Sequence, residues 1–167
     1  LPYRILALTF TNKAAREMKS RIGSLVDYEK ANQLYMGTFH SVFSRILRAE
    51  AQHIGYNSNF TIYDENDSRS LLKSIIKTLG LDDKKYKPAT VHNIISMAKN
   101  QLITADAYAN DKAIWDRDRN MKLPAISQIY TAYQARCRQA NAMDFDDLLV
   151  NTFRLFNDNA DICNKYA

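Results

Sequence analysis

The sequence predicts a mainly α-helical fold that opens with a short α/β segment containing parallel strands. Only four glycines and three prolines occur in 167 residues, which favours long helices joined by short turns. Apolar residues recur at helical spacing through most of the chain after residue 63. Near the N-terminus, two stretches repeat one order: apolar strand, polar knot, amphipathic helix. We therefore expect an α/β part up to about residue 62, an all-helical part beyond it, and final helices that return to the first part.

The two repeated stretches carry the most informative residues. The first knot, Thr9-Phe10-Thr11-Asn12, follows the apolar run Ile5–Leu8, and the second knot, Thr38-Phe39-His40-Ser41, follows Tyr35-Met36-Gly37. In open parallel sheets, ligands collect beyond the carboxyl ends of the strands. Both knots are predicted to lie at that edge.

Each knot offers hydroxyl or amide groups and helix N-terminal N–H donors, which suit phosphate oxygens, and one aromatic ring, which suits a nucleobase. This combination predicts a binding site for a single nucleic-acid strand. A simpler reading is that the Thr and Asn side chains cap helices and that Phe10 and Phe39 point into the core. The pair of knots favours the first reading, because capping requires neither Phe nor His.

The first two helices are each predicted to pack through an apolar stripe. The stripe of the first helix comprises Ala15, Met18, Ile22 and Leu25, and that of the second comprises Phe39, Val42, Phe43, Ile46 and Leu47. After a brief extended run over 60–63, Asp64 is predicted to cap a helix with Asp67 at its third position. Gly80 is predicted to end that helix, with Leu81 making the usual hydrophobic contact.

The later helices follow from similar signals. Thr90 is predicted to open a helix with Val91, Ile94, Ile95, Ala98 and Leu102 on its face, and Thr104 to cap a shorter one. Helical periodicity fails over 110–122, which predicts a mobile excursion that includes Trp115. A helix after Pro124 aligns Ile126, Ile129, Tyr130, Tyr133 and Cys137. The last helix starts at Asp144 and aligns Phe145, Leu148, Leu149, Phe153 and Phe156.

Positive charge is concentrated near the knots. Residues 1–48 hold eight Lys and Arg against three acids, whereas the remaining residues balance at fifteen against fifteen. An anionic partner of the N-terminal part would require such an asymmetry. A solvated helix face explains Lys19 and Lys30 well but explains the whole asymmetry less well.

Several classes of chemistry lack their motifs. The two cysteines and three histidines have no zinc-binding spacing, so reduced cytosolic thiols and no metal site are expected. The acidic cluster Asp144-Phe145-Asp146-Asp147 could hold Mg²⁺, but an N-cap with further acids favoured by the helix dipole explains it better. No Gly-x-x-x-x-Gly-Lys-Ser/Thr loop, catalytic Ser-His-Asp or Cys-His signature, signal peptide or membrane-length apolar run is visible. No catalytic residue is therefore assigned.

Taken together, the segments resemble the superfamily I DNA helicases typified by UvrD, PcrA and Rep. The run Leu6–Met18, LALTFTNKAAREM, is similar to their motif Ia, and Gly37-Thr38-Phe39-His40-Ser41 is similar to motif Ib. Three later segments resemble the family in order and spacing: Asn59–Asp64, Ala98–Asn100 and Met143–Leu149. The resemblance covers essentially the whole chain.

The resemblance implies a partial RecA-like domain 1A over 1–62, an inserted helical 1B subdomain over 63–142 and a helix returning to domain 1A over 143–167. It implies that Thr9, Phe10, Thr11, Asn12, Thr38, Phe39 and His40 bind single-stranded DNA, and the basic segment adds Lys13 to these candidates. It further implies that the inserted helices lie near the single-strand/duplex junction. The family's Gly-Lys-Thr loop would precede the first strand and its Asp-Glu strand would follow the last helix, and neither is in this sequence.

We therefore expect part of a cytoplasmic, ATP-dependent 3′-to-5′ DNA helicase or translocase that is inactive on its own. ATP and Mg²⁺ are implied for the parent protein, with no cofactor held here. The expected partners are single-stranded DNA, the junction and the remaining helicase domains, with no membrane. The alternatives are a non-catalytic helical nucleic-acid or protein interaction module and the motor segment of a helicase-nuclease subunit. Exposure of Phe10 and His40 would favour DNA binding, whereas burial of both in the core would favour the module.

Overall fold

The computed structural model describes residues 6–25 and 35–166. The chain forms two compact units: Leu1–Ser58 with Asn151–Ala167, and Asn59–Val150. The described part is mainly helical, with two short parallel pairs of strands. This confirms the predicted fold class at that level.

The first unit contains the two repeated stretches. Strand β1 (Leu6–Thr9) leads to helix α1 (Asn12–Leu25), and strand β2 (Tyr35–Thr38) leads to helix α2 (Phe39–Ala49). The strands pair in parallel, with Thr9 opposite Thr38. Both strands therefore end side by side, and both helices begin at the same edge.

The two helices pack unequally, and the prediction for α1 is wrong in part. On α2, Val42, Ile46 and Leu47 are buried as predicted. Among the described residues α1 buries none, and Leu25 is 83% exposed. Ala15, Met18 and Ile22 of the predicted stripe are half-buried, so α1 packs along that stripe only in part.

A buried carboxylate attaches the C-terminal helix α9 (Ala160–Tyr166) to the segment that follows α2. Glu50 accepts hydrogen bonds from Lys165 Nζ at 2.7 Å and from the Tyr166 hydroxyl at 3.0 Å. The bond from Lys165 is the main reason that the pKa of Glu50 lies below its usual value. This pairing supplies the partners that a buried carboxylate needs.

The second unit is built from helices around one parallel strand pair. Strand β3 (Thr61–Tyr63) pairs with β4 (Ala142–Asp144). The helices between them are α3 (Glu65–Thr78), α4 (Pro88–Asn100), α5 (Ala105–Asn110), α6 (Lys112–Asn120) and α7 (Ile126–Gln139). The core includes Leu72, Ile75, Ile76, Val91, Ile95, Tyr108, Ile126, Ile129, Tyr130 and Tyr133. Helix α8 (Phe145–Asp158) begins in this unit and continues into the first.

Most predicted helix ends in the second unit are confirmed. Asp64 and Asp67 form a reciprocal capping box at the start of α3, Gly80 adopts a left-handed φ of 70° after its end, and Thr104 caps α5. One start is wrong: α4 begins at Pro88 rather than at Thr90. The fixed φ of proline suits the first helical turn, where its missing N–H is not needed.

The prediction of a mobile excursion over 110–122 is also wrong, because α6 occupies most of it. Asp111 caps this helix by accepting from Ile114 N at 3.1 Å. Asp118 is buried and accepts from the Tyr108 hydroxyl at 2.6 Å and from Arg117. The buried residue of this helix is therefore polar, with Ile114 only partly buried against the core, so apolar periodicity does not mark the helix.

The apolar stripe predicted for the last helix is correct only in part. Leu148 is buried, but Phe145 and Leu149 are 38% exposed and Phe153 is 50% exposed. The helix starts at Phe145, because the preceding Ala142–Asp144 forms β4. None of the helices in the described ranges combines the length and the apolar character of a membrane span.

Candidate nucleic-acid interface

One threonine of each knot acts as a helix cap. Thr11 Oγ1 accepts a hydrogen bond from Ala14 N at 3.1 Å, and Thr38 Oγ1 accepts one from Ser41 N at 3.2 Å. The simpler reading is therefore correct for these two hydroxyl groups. Each cap satisfies one of the N–H donors that the start of a helix leaves without a partner in the helix.

The aromatic rings of the knots do not follow the simpler reading, which placed both in the core. The Phe10 side chain is 87% exposed, so it is not part of the core. Its ring centroid lies 5.0 Å from that of the half-buried Phe39, with the planes tilted by 45°. Phe39 in turn lies 5.9 Å from Phe43. The two strand ends thus share one chain of rings, with its outermost member in solvent.

The other residues predicted to bind DNA surround this chain of rings. Asn12, Lys13 and His40 are exposed in the first turns of α1 and α2, and Thr9 is half-buried at the end of β1. The structure therefore brings all eight predicted residues to one edge of the strand pair: Thr9, Phe10, Thr11, Asn12, Lys13, Thr38, Phe39 and His40.

Helix α1 carries an excess of positive charge, of which Lys13 and Arg16 lie nearest this edge. Its side chains include Lys13, Arg16, Lys19 and Arg21, all exposed, against the single acid Glu17. The first turn contains no acidic residue, so nothing there opposes the positive end of the helix dipole. Such an edge attracts phosphate groups.

A buried charged centre in the second unit was not predicted. Lys99 is 3% exposed, and its Nζ lies 2.7 Å from Asp144 Oδ2 and 2.9 Å from Asp147 Oδ1. The Tyr133 hydroxyl donates to Asp144 Oδ2 at 2.8 Å, and the Ser68 hydroxyl lies 3.0 Å from that of Tyr133. The centre joins α3, α4, α7, β4 and the start of α8.

The carboxylates of this centre also cap α8. Asp147 N donates to Asp144 Oδ1 at 2.7 Å, and Asp144 N donates to Asp147 Oδ2 at 3.2 Å. The preferred capping interpretation of the acidic cluster is confirmed by these bonds. In the described ranges, no group of three or more His, Cys, Asp or Glu side chains is placed to hold a metal ion.

Charge and burial compete in this centre. Burial opposes ionisation of Lys99, but Asp147 and Asp144 outweigh it and raise the Lys99 pKa. Burial would also raise the pKa of Asp144, yet Lys99 and three hydrogen bonds keep it below its usual value. Burial raises the pKa of Asp147 to about 6. The position of Lys99, four residues after Ile95 and eight after Val91, was the sequence signal that it faces inward.

Comparison with known proteins identifies the family. The model of the UvrD/REP helicase N-terminal domain matches residues 1–167. The chain is 41% identical to the ATP-dependent DNA helicase PcrA of Leuconostoc citreum over 167 residues, covering 99% of this chain and 21% of that protein. It is 42% identical to PcrA of Staphylococcus aureus over 166 residues, covering 99% and 22%.

A relative from another genus gives the same result. The chain is 45% identical to the ATP-dependent DNA helicase UvrD1 of Mycobacterium leprae over 165 residues, covering 98% of this chain and 21% of that protein. The chain thus spans about a fifth of the length of these relatives. A family model that matches from end to end, with relatives above 40% identity, leads to one conclusion: this chain belongs to the UvrD/REP helicase N-terminal domain family.

Proposed function

We propose that this chain is part of an ATP-dependent 3′-to-5′ DNA helicase or translocase and contributes part of its single-stranded DNA path. The observation that carries the proposal is the Phe10 ring, which is 87% exposed beside the starts of two helices. An exposed ring next to cationic side chains is the usual means of holding single strands without sequence preference. The names of the relatives, ATP-dependent DNA helicases, support this assignment.

We assign residues 1–62 to a partial RecA-like domain 1A with motifs Ia and Ib, 63–142 to a helical 1B subdomain, and 143–167 to a helix returning to domain 1A. The order of the two compact units is consistent with an insertion, because the first unit consists of two segments that flank the second in sequence. The remaining helicase domains of the parent protein would supply the ATP site, including Mg²⁺. The chain would act with them in the cytoplasm.

The helical unit is proposed to face the junction between single strand and duplex. Helix α6 supports this role, because Trp115 is 45% exposed and Arg119 lies over its ring at 5.1 Å. Lys112 and Lys122 are exposed at the two ends of the same segment. Cationic side chains beside an exposed ring suit the place where a duplex opens, because phosphates and an unpaired base lie close together there.

The alternative of a non-catalytic interaction module, in which the motif-like segments serve only packing, is less consistent with the structure. That reading requires Phe10 and His40 to be buried in the core, and both are exposed. The capping role of Thr11 and Thr38 is compatible with either function. The exposure of Phe10 and His40 is what favours DNA binding.

Single-strand binding by this chain is expected to be weak and to depend on Lys13 and Arg16. Removing one cationic side chain that neutralises a phosphate of a single strand reduces the slope of log K against log salt by about 0.7, so Lys13→Ala with Arg16→Ala should reduce it by about 1.4. The measurement is a salt titration of fluorescence anisotropy with a labelled oligothymidylate. The matched control is Lys84→Ala with Lys85→Ala, which removes two exposed lysines from the other unit. An equal reduction of the salt slope in both double variants would contradict the assignment of the DNA-contacting cations to α1.

The chain by itself is expected neither to bind nor to hydrolyse ATP. Its sequence contains no phosphate-binding glycine loop with a lysine, and these are the groups that hold the β- and γ-phosphates in such enzymes. Isothermal titration with ATP and Mg²⁺ should give no binding heat above dilution. Saturable binding that disappears on addition of EDTA would contradict this expectation.

A further inference from the structure

We infer that Phe39 is a positioning residue, which holds the ring of Phe10 in place for stacking on a base. The inference rests on the proposed function and adds a division of roles to it: Phe10 contacts the base, and Phe39 acts through Phe10. The observation is the chain of rings that leads inward from solvent, with Phe10 87% exposed and Phe39 and Phe43 half-buried behind it.

The backbone brings the two rings together. Thr9 and Thr38 are paired across the parallel strands, so the residue after each lies at the same edge. Phe10 follows β1 in a bend that precedes α1, whereas Phe39 is the first residue of α2. Contact between their rings therefore links two segments that are far apart in sequence.

Phe39 is itself supported by a neighbouring ring. Its centroid lies 5.9 Å from that of Phe43, one helical turn later on α2, and both rings are half-buried. A ring supported in this way loses little further freedom on binding. The Phe10 ring has no such burial, and the described contact that limits its motion is the one with Phe39 at 5.0 Å.

Restricting an exposed ring before the ligand arrives increases affinity, because the entropy of ordering the ring is not lost on binding. We expect the contact between the Phe10 and Phe39 rings to change the affinity for single strands roughly 2- to 10-fold. Loss of the Phe39 ring should therefore weaken single-strand binding, and it should do so only while Phe10 is present.

A double-mutant cycle in the full-length parent protein tests this division of roles. The variants are Phe10→Ala, Phe39→Leu and the double variant, and the probe is a fluorescein-labelled oligothymidylate. We expect Phe39→Leu to weaken binding by roughly 2- to 10-fold when Phe10 is present and to have no further effect in the Phe10→Ala background. Phe39→Tyr, which keeps the ring, should restore the affinity.

The other outcomes are distinct. An equal loss from Phe39→Leu in both backgrounds would overturn the inference, because it would show a direct contact or a general structural effect. No loss from Phe39→Leu beside a clear loss from Phe10→Ala would also overturn it and leave the proposed function standing. No loss from Phe10→Ala would overturn the proposed function and this inference with it. If Phe39→Leu lowers the denaturation midpoint, Phe39→Met replaces it in the cycle.

Discussion

Replacing Lys99 with methionine is expected to lower the free energy of unfolding by about 3–5 kcal/mol, because it leaves two buried carboxylates without their counter-charge. Lys99 Nζ is 2.7 Å from Asp144 and 2.9 Å from Asp147, and all three side chains are at most 6% exposed. Methionine fills a similar volume, so the loss reports on charge rather than on a cavity. The single tryptophan, Trp115, lies in the same unit, so its fluorescence during chemical denaturation measures the effect.

Two further variants separate this explanation from others. Lys73→Met removes an exposed lysine from α3 of the same unit. Its free energy of unfolding should stay within about 0.5 kcal/mol of that of the original protein. Adding Asp147→Asn to Lys99→Met should recover part of the loss, because it removes one of the two uncompensated charges. A free energy of unfolding for Lys99→Met equal to that of Lys73→Met would contradict the role assigned to the buried centre.

Replacing Phe10 with alanine in the full-length parent protein is expected to lower the affinity for single-stranded DNA by about 1–3 kcal/mol, the usual contribution of one base stacked on an aromatic ring. The stability should change little, because the side chain is 87% exposed. A ring in the core would give the opposite result, with a loss of roughly 3–5 kcal/mol in stability. Affinity and denaturation midpoint are measured on the same preparation.

Phe10→Tyr is the matched variant for this prediction. It keeps a ring of the same shape, so it should bind single strands nearly as well as the original protein. A large loss of stability in Phe10→Ala, with the affinity of the folded fraction intact, would contradict a stacking role for the ring.

Features that depend on local patterns were predictable from the sequence. Helix α7 was predicted with its buried face, because Ile126, Ile129, Tyr130, Tyr133 and Cys137 recur at helical spacing and all are buried. The capping box of α3 depends on two residues three positions apart. The edge position of the knots followed from two strand-to-helix transitions in sequence, since parallel pairing aligns the ends of such strands.

Features that depend on residues far apart in the sequence were missed. Strand β4 is only three residues long and pairs with β3 some eighty positions earlier, so no local alternation marks it. The ion pair of Lys99 with Asp144 spans 45 positions. Helix α6 was missed for another reason, because its fully buried residue is the polar Asp118 and its apolar contact with the core, Ile114, is only partly buried. The aromatic chain likewise required the contact of Phe10 with Phe39, which only the paired strands create.

The central claim is that the Phe10 ring stacks on a base, and a cycle between protein and DNA tests it most directly. An abasic site is moved one position at a time along a short oligothymidylate, and each oligonucleotide is titrated with the full-length protein and with its Phe10→Ala variant. At one position the abasic site should weaken binding of the original protein by about 1–3 kcal/mol and leave the variant unaffected, because the stacked pair is already absent. Additive losses at every position of the abasic site would contradict the claim.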